Sequence, residues 1–443
     1  MTDNFFIPLE LFVKNYFYFY FYCVRFSDWK IWFTNMPWHL RWFVLLILFR
    51  PVLDNLYFLK NISPLLSPLY WVGILTPLLS IWAYLKERNI TKTVVDKRMT
   101  YWFVLIVASA MMIVFYDPLN LLSVEFFLKL TMPVYLWWIV RRIIRSKKDL
   151  KGIVVTYLYS TVPIAIILLY EVLINPISVQ ESRGFERIQG SFGDVVSYSI
   201  YLSFAFLSAT YLFFINKKRF TFRRRLRLVV VVGAFCLVAL FHIHHVASYV
   251  VFTAVLGMFL MYNFRTNIAS SMVILMIIVS SVAFLGQDFI SERFSKLVEK
   301  DVEVYQGKAD TKYMLHGRVG RWQMMLEDFF NQNPVAVLFG YPYSFNYAYH
   351  MVGVGPHNDF LRILFFTGII GLLLYLSILN LIYRRVASLN TYQKYLGSTL
   401  LLITVLYSIS VVPTYYPNYL YFMLSVFAFF ALPKNKQIEG IKA

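Results

Sequence analysis

Two arginines in the segment ESRGFERIQGSFGD, Arg183 and Arg187, stand among three glycines between long apolar runs. A guanidinium stays charged and offers a planar fork of donors suited to phosphate oxygens, and Gly184, Gly190 and Gly193 let backbone approach a ligand closely. Anion binding, with a lipid-linked pyrophosphate as one candidate, is the chemistry such a loop can do. A solvated loop whose arginines pair with Glu181, Glu186 or Asp194 is the other reading. Arg318 and Arg321 lie three apart in RVGRW, with Trp322 four after Arg318, so on a helix one face could hold an anion while the other packs. An amphipathic surface helix, its arginines meeting Glu327 or Asp328, fits the same spacing.

His357 precedes Asn358, Asp359 and a strongly apolar run, which sets it where water meets the edge of a buried helix. An imidazole there can take up a proton near neutral pH, with Asn358 or Asp359 orienting the ring or a hydroxyl. A histidine that is simply hydrogen-bonded at the interface is the alternative. Gly353-Val354-Gly355 is a flexible approach to it and not a dinucleotide motif, because no strand, turn and helix surround it. His242, His244 and His245 are not spaced to face one metal ion from a helical turn, so no metal is expected. Tyr341, Tyr343, Phe345, Tyr347 and Tyr349 would either stack on sugar rings or form an aromatic belt at headgroup level.

These groups need a scaffold, and the composition says which solvent it meets. Hydrophobic residues are 59% of the 443 and charged residues 15%, too little polar surface to cover a water-soluble core. A membrane span takes roughly 20 apolar residues, and such stretches recur near 41–59, 66–85, 101–116, 119–139, 152–174, 195–215, 226–241, 246–262, 268–285, 360–382, 395–412 and 417–432. The expectation is an all-α polytopic membrane protein with about 12 transmembrane helices. Segment 5–26 carries Glu10 and Lys14 within dense aromatics and reads as an interfacial helix, with a thirteenth span as the other option. Cys23 and Cys236 lie in apolar or aromatic stretches without metal-ligand spacing and read as packing residues.

The net charge of +19 is unevenly placed. With twelve spans, 28 of the 42 lysines and arginines fall on one side, in 86–98, 141–151, 216–227, 263–267, 384–394, the tail and the start of the chain. That side is expected to be cytoplasmic, which removes the case for nucleic-acid binding. Two segments are then external: 175–194 and the 74 residues 286–359, which hold seven basic and nine acidic residues. The domain plan is N-terminal spans over 1–285 with the Arg/Gly loop 175–194, a large, partly helical periplasmic loop over 286–359, C-terminal spans over 360–432, and a cytoplasmic tail over 433–443. Arg187, Arg318 and His357 all fall on the external side.

The order of features is more specific than any one of them. RIQGSFGDVVSYSIYL at 187–202, RVGRW at 318–322, NPVAVLFGY at 333–341 and HNDFLRILFFTGIIGLLLYL at 357–376, with RPVLD at 50–54, resemble the bacterial O-antigen ligase and O-antigen polymerase family. The resemblance covers most of the chain in order, and its C-terminal block is the most specific part. It implies a metal-independent glycosyltransferase, without cofactor, that uses undecaprenyl-diphosphate-linked glycan on the periplasmic face of the bacterial inner membrane. Arg187 and Arg318 become binders of the substrate diphosphate, His357 the base for the acceptor hydroxyl, and Asn358, Asp359 and Trp322 supporting groups. Many members have a Ser-Arg pair where this chain has His244-His245, leaving His245, Arg183 and Arg321 as candidates for the missing cation.

Polymerisation of lipid-linked repeat units into O-antigen or capsule is the preferred activity. Ligation of finished glycan to lipid A core, giving lipopolysaccharide, is the alternative. The implied partners are a lipid-linked oligosaccharide donor, a glycan acceptor and other polysaccharide-assembly proteins. A transporter or flippase for lipid-linked oligosaccharide is the rival of another class; it calls for mid-membrane charges, broken helices and an internal repeat. No convincing repeat is visible, and the polar residues singled out lie at external ends.

Overall fold

The structure, a computed structural model of the chain, describes residues 25–88, 90–116, 121–174, 179–182, 185–265, 267–269, 271–272, 274–276, 295–340, 356–389, 391–433 and 437. Its principal helices are α1 (Phe26–Asn35), α2 (Trp38–Asn55), α3 (Pro68–Lys86), α4 (Val94–Tyr116), α5 (Leu121–Ile143) and α6 (Lys147–Leu173). After a hairpin of β1 (Val179–Ser182) and β2 (Phe185–Ile188) come α7 (Val195–Ile215), α8 (Phe222–Ile243) and α9 (Val246–Phe264). The second half holds α10 (Ser295–Tyr305), α11 (Met314–Phe330), α12 (Pro334–Phe339), α13 (Asp359–Ala387), α14 (Thr391–Ser410) and α15 (Pro417–Ala431).

Among the described residues six helices, α3, α6, α7, α8, α9 and α13, are long and apolar enough to cross a membrane, and α15 is a shorter apolar helix. The chain is a multi-pass membrane protein built from helices. Every expected span coincides with a helix except 268–285, which falls largely outside the described residues together with most of the segment 5–26. Local chemistry sets the helix starts: Ser146, Asp194, Asn333 and Asn358 each accept a backbone N–H from the first turn, and Pro334 and Pro417 occupy positions where no donor is needed.

α7 is the axis of the bundle. Its most apolar stretch is 94% buried, against 22% for α3, so α7 is walled by protein while α3 leaves most of its apolar surface outside the bundle. α6, α8, α9, α14 and α15 pack around it. Phe204 stacks on Phe422 at 4.5 Å between centroids. Small hydroxyls pair across the same core: the Tyr395 hydroxyl donates to Thr210 at 2.7 Å, the Tyr419 hydroxyl donates to Thr404 at 2.7 Å, and Ser203 pairs with Tyr407 at 3.0 Å. Such internal pairing is required where no water reaches polar groups.

The helix ends sort into two faces. On one, Arg141 holds Asp96 with two bonds of 2.8 and 2.9 Å, Arg219 meets Asp28 at 2.5 Å, Lys151 donates to Asn216 at 3.2 Å, and Arg385 donates to the Phe430 carbonyl at 2.9 Å. These are the lysine- and arginine-rich segments of the sequence, gathered together. On the other face, Asn418 donates to Asp54 at 3.3 Å and to Ser197 at 3.1 Å, and Thr414 donates to Asp359 at 2.7 Å. The alternation read from charge is therefore matched by which ends touch.

Two features depart from the sequence reading. Loop 175–194 contains an antiparallel hairpin, with Gln180 opposite Arg187 in register, so the expected all-α fold carries one short two-stranded ribbon that the sequence did not announce. Arg183 and Gly184 lie outside the described residues. The run LFFTGIIGL, expected as one continuous span, is broken at Gly368, whose φ of 67° is left-handed. A side chain there would put a Cβ 2.1 Å from the Leu338 carbonyl oxygen, and one at Gly340, also left-handed, would meet the Phe366 backbone at 2.5 Å. The two glycines let α12 dock against the break in α13. Gly368→Ala is expected to destabilise the protein by roughly 3 kcal/mol, combining strained φ with backbone overlap, and to lower the thermal midpoint of the detergent-solubilised protein. An unchanged midpoint would show that the break is dispensable.

Candidate active site

The face opposite the basic segments carries α11, α12 and the start of α13. α11 is two-sided: Met325 and Phe329 are buried against Leu364 and Phe365 of α13, with Phe329 and Phe365 rings 5.4 Å apart. Arg318, Arg321 and Trp322 lie along its N-terminal half. Trp322 donates its indole N–H to the Pro356 carbonyl at 2.6 Å, which ties α11 to the residue preceding His357. Arg318 donates to the Ser410 carbonyl at the end of α14.

His357 adopts a left-handed backbone, φ 46°, just before the helix start. Asx and histidine residues tolerate that region better than most, and here it turns the chain sharply into α13. Burial disfavours the charged imidazole most, and the positive charges of Arg318 and then Arg321 disfavour it further, so the His357 pKa is lowered from its ordinary value. The structure thus brings Arg318, Arg321, Trp322 and His357 together. A neutral imidazole beside two guanidinium groups can accept a proton from a hydroxyl while the cations hold an anion.

Asn358 and Asp359 both have structural partners at the start of α13. The Asn358 side-chain oxygen accepts the Leu361 N–H at 3.1 Å and caps α13, so that oxygen is not available to orient the His357 ring. Asp359 is fully buried and accepts from the Thr414 hydroxyl at 2.7 Å and from Arg362 Nε at 3.0 Å, while Arg362 also reaches Thr414. It anchors the helix start rather than facing a substrate.

Arg187 and His245 stand on other elements. Arg187 is buried on β2, which packs against α8. His245 follows the end of α8, where its Nδ1 pairs with Ser248 Oγ at 2.6 Å and so supports the first turn of α9. The aromatic run 341–349 and the glycines at 353 and 355 lie outside the described residues.

A segment that the sequence reading passed over connects these elements. Residues 410–418, SVVPTYYPN, run between α14 and α15. The Ser410 carbonyl accepts from Arg318, Thr414 donates to Asp359, Tyr416 hydrogen-bonds the Asp194 carboxylate beyond the Arg187 hairpin, and Asn418 donates to Asp54 and Ser197. Asp54 in turn pairs with Arg50 at 2.7 Å, four residues earlier in RPVLD. Two prolines framing Thr, Tyr and Tyr, with Asn just after the second, between apolar spans were the available signal.

One consequence is a pH profile. A base whose pKa lies below the ordinary 6.5 or so stays deprotonated to lower pH, so the rate should be level from about pH 7 upward and fall only below about pH 6.5. An acidic limb lying above that value would contradict the electrostatics of the site.

No protein-family model matches this chain, and no curated protein is significantly similar to it.

Proposed function

We propose that the protein is a glycosyltransferase that polymerises polyprenyl-diphosphate-linked oligosaccharide repeat units at the periplasmic face of a bacterial inner membrane. The observation that carries this reading is the placement of Arg318 and Arg321 in the electrostatic reach of a partly buried, pKa-lowered His357. The order of motifs resembling the O-antigen polymerase and ligase family supports it. With the basic face in the cytoplasm, the His357 face is external.

The reaction balances with these groups alone. The acceptor hydroxyl oxygen attacks the anomeric carbon of the donor sugar and its proton passes to His357. The bond from that carbon to the diphosphate oxygen breaks, and the electron pair leaves with the polyprenyl diphosphate. Negative charge grows on the departing oxygen, where fixed guanidinium groups stabilise it more than in the ground state. Arg318 and Arg321 are the cations placed for this, with Arg187 reaching the diphosphate from the hairpin. The lipid stays among the helices, so only the head group needs to emerge.

The deciding experiment compares surface glycan from a deletion strain with that of the complemented strain on a gel. A single repeat unit on lipid A core supports polymerisation. Bare core with long glycan left on the lipid carrier supports the ligase alternative, and loss of all lipid-linked glycan from the external leaflet supports the flippase.

A further inference from the structure

A second constellation lies on the basic face, remote from His357. α1 packs on the first turns of α6: Trp29 donates to Thr156 Oγ1 at 2.9 Å and Trp32 donates to Asp149 Oδ1 at 3.0 Å. A Cβ at Gly152 would meet the Trp32 ring at 2.4 Å, so the indole lies flat on the helix. Between the two helices and the turn after α7 is a cleft of about 360 Å³ lined by Asp28, Trp29, Trp32, Lys148, Lys151 and Arg219. Three cations face one carboxylate, and Arg25 and Lys147 add positive field at Lys151.

The internal pairs leave an excess of positive charge. Arg219 meets Asp28, and Lys151 donates to the neutral Asn216, while Lys148 is exposed at the rim. The cleft is also graded. Its lysines sit at the beginning of α6, with Asp28 on α1 and Arg219 after α7, and Gly152, Val155 and Ile31 line it alongside the indoles. Tryptophans beside lysine and arginine at the end of a membrane helix mark the headgroup level of a bilayer. A free phosphate would use the charges and leave the apolar wall unused; a phospholipid uses both.

We propose that this cleft binds the phosphate of an anionic phospholipid of the leaflet on the basic side, with the start of an acyl chain along Val155 and Ile31. The site is independent of the reaction proposed above. It fastens α1 to the bundle through lipid, since the phosphate bridges Arg219 beside α1 with Lys148 and Lys151 of α6.

The test is native mass spectrometry of the full chain in detergent, titrated with phosphatidylglycerol, phosphatidylcholine or inorganic phosphate. Phosphatidylglycerol should be retained in preference to phosphatidylcholine, and its binding should weaken as salt is raised. Lys148→Gln with Lys151→Gln should weaken phosphatidylglycerol binding roughly 30-fold, about fivefold for each lysine. Lys148→Arg with Lys151→Arg should retain it, which separates lost charge from lost fold. Equal retention of the two lipids, or an unchanged affinity in the glutamine variant, overturns the proposal. Inorganic phosphate binding as tightly as the lipid makes this a site for free phosphate and overturns the lipid assignment. If the glutamine variant fails to fold, the lipid preference and salt dependence of the unaltered protein decide alone.

Discussion

His357→Ala should lower glycan transfer by about 10²–10⁴-fold while leaving the amount of protein in the membrane unchanged. That is the usual contribution of a positioned general base, and the helix that follows does not start on this ring. Helix α13 is capped by Asn358 and anchored by Asp359, both of which the variant keeps. The backbone at His357 is left-handed, so alanine adds a small strain, and asparagine, which tolerates that conformation, is the better control. His357→Asn should be as inactive as alanine, because it cannot accept the proton in this pH range. Activity near the unaltered level in both variants would remove His357 from the chemistry.

Arg318→Ala should cost about 10²–10³-fold, the range seen when one donor to a developing oxyanion is removed. It also has a signature that a structural role would not produce. Arg318 is one of the two charges lowering the His357 pKa. Removing it should let that pKa rise, so the acidic limb of the rate profile moves to higher pH. Arg318→Lys keeps the charge but loses the planar fork that reaches the Ser410 carbonyl. It should leave the limb nearly in place and still lower the rate. A rate loss in Arg318→Ala without movement of the limb would mean that the arginine serves packing through Ser410 and not the site.

Much of the scaffold was readable because a bilayer imposes a length and an apolar content on every span. The two faces were readable for a similar reason, since lysine and arginine mark one side, and Asp96–Arg141, Asp28–Arg219 and Lys151–Asn216 meet there. What escaped depends on pairing between distant residues. Nothing in LFFTGIIGL announces that Gly368 breaks the helix, because its partner is the carbonyl of Leu338 on α12. Thr414 meets a carboxylate 55 residues earlier in the chain. The hairpin was hidden by its brevity, with four residues on either side of Arg183-Gly184.

Within the site, residue types were easier to find than their tasks. Arg318, Arg321, Trp322 and His357 stand within the long segment 286–359 and are gathered by α11 and the chain leading into α13. Asn358 or Asp359 is read from the sequence as orienting the imidazole or a hydroxyl, but an asparagine ahead of an apolar helical run is also a capping signal, and the Leu361 N–H donates to its oxygen. His245, weighed as a replacement cation, pairs with Ser248 one turn away. Arg187 was joined to the others by motif order, whereas in the fold its hairpin leans on α8 and reaches them by way of Asp194 and the 410–418 segment.

The most direct measurement is a single-turnover assay on the purified protein in lipid nanodiscs, with a polyprenyl-diphosphate-linked repeat unit as both donor and acceptor. The account predicts a lengthened lipid-linked glycan and one free polyprenyl diphosphate per bond formed, both lost in His357→Asn. Glycan that is never lengthened or transferred, although the lipid-linked substrate binds and crosses the bilayer in proteoliposomes, would contradict it.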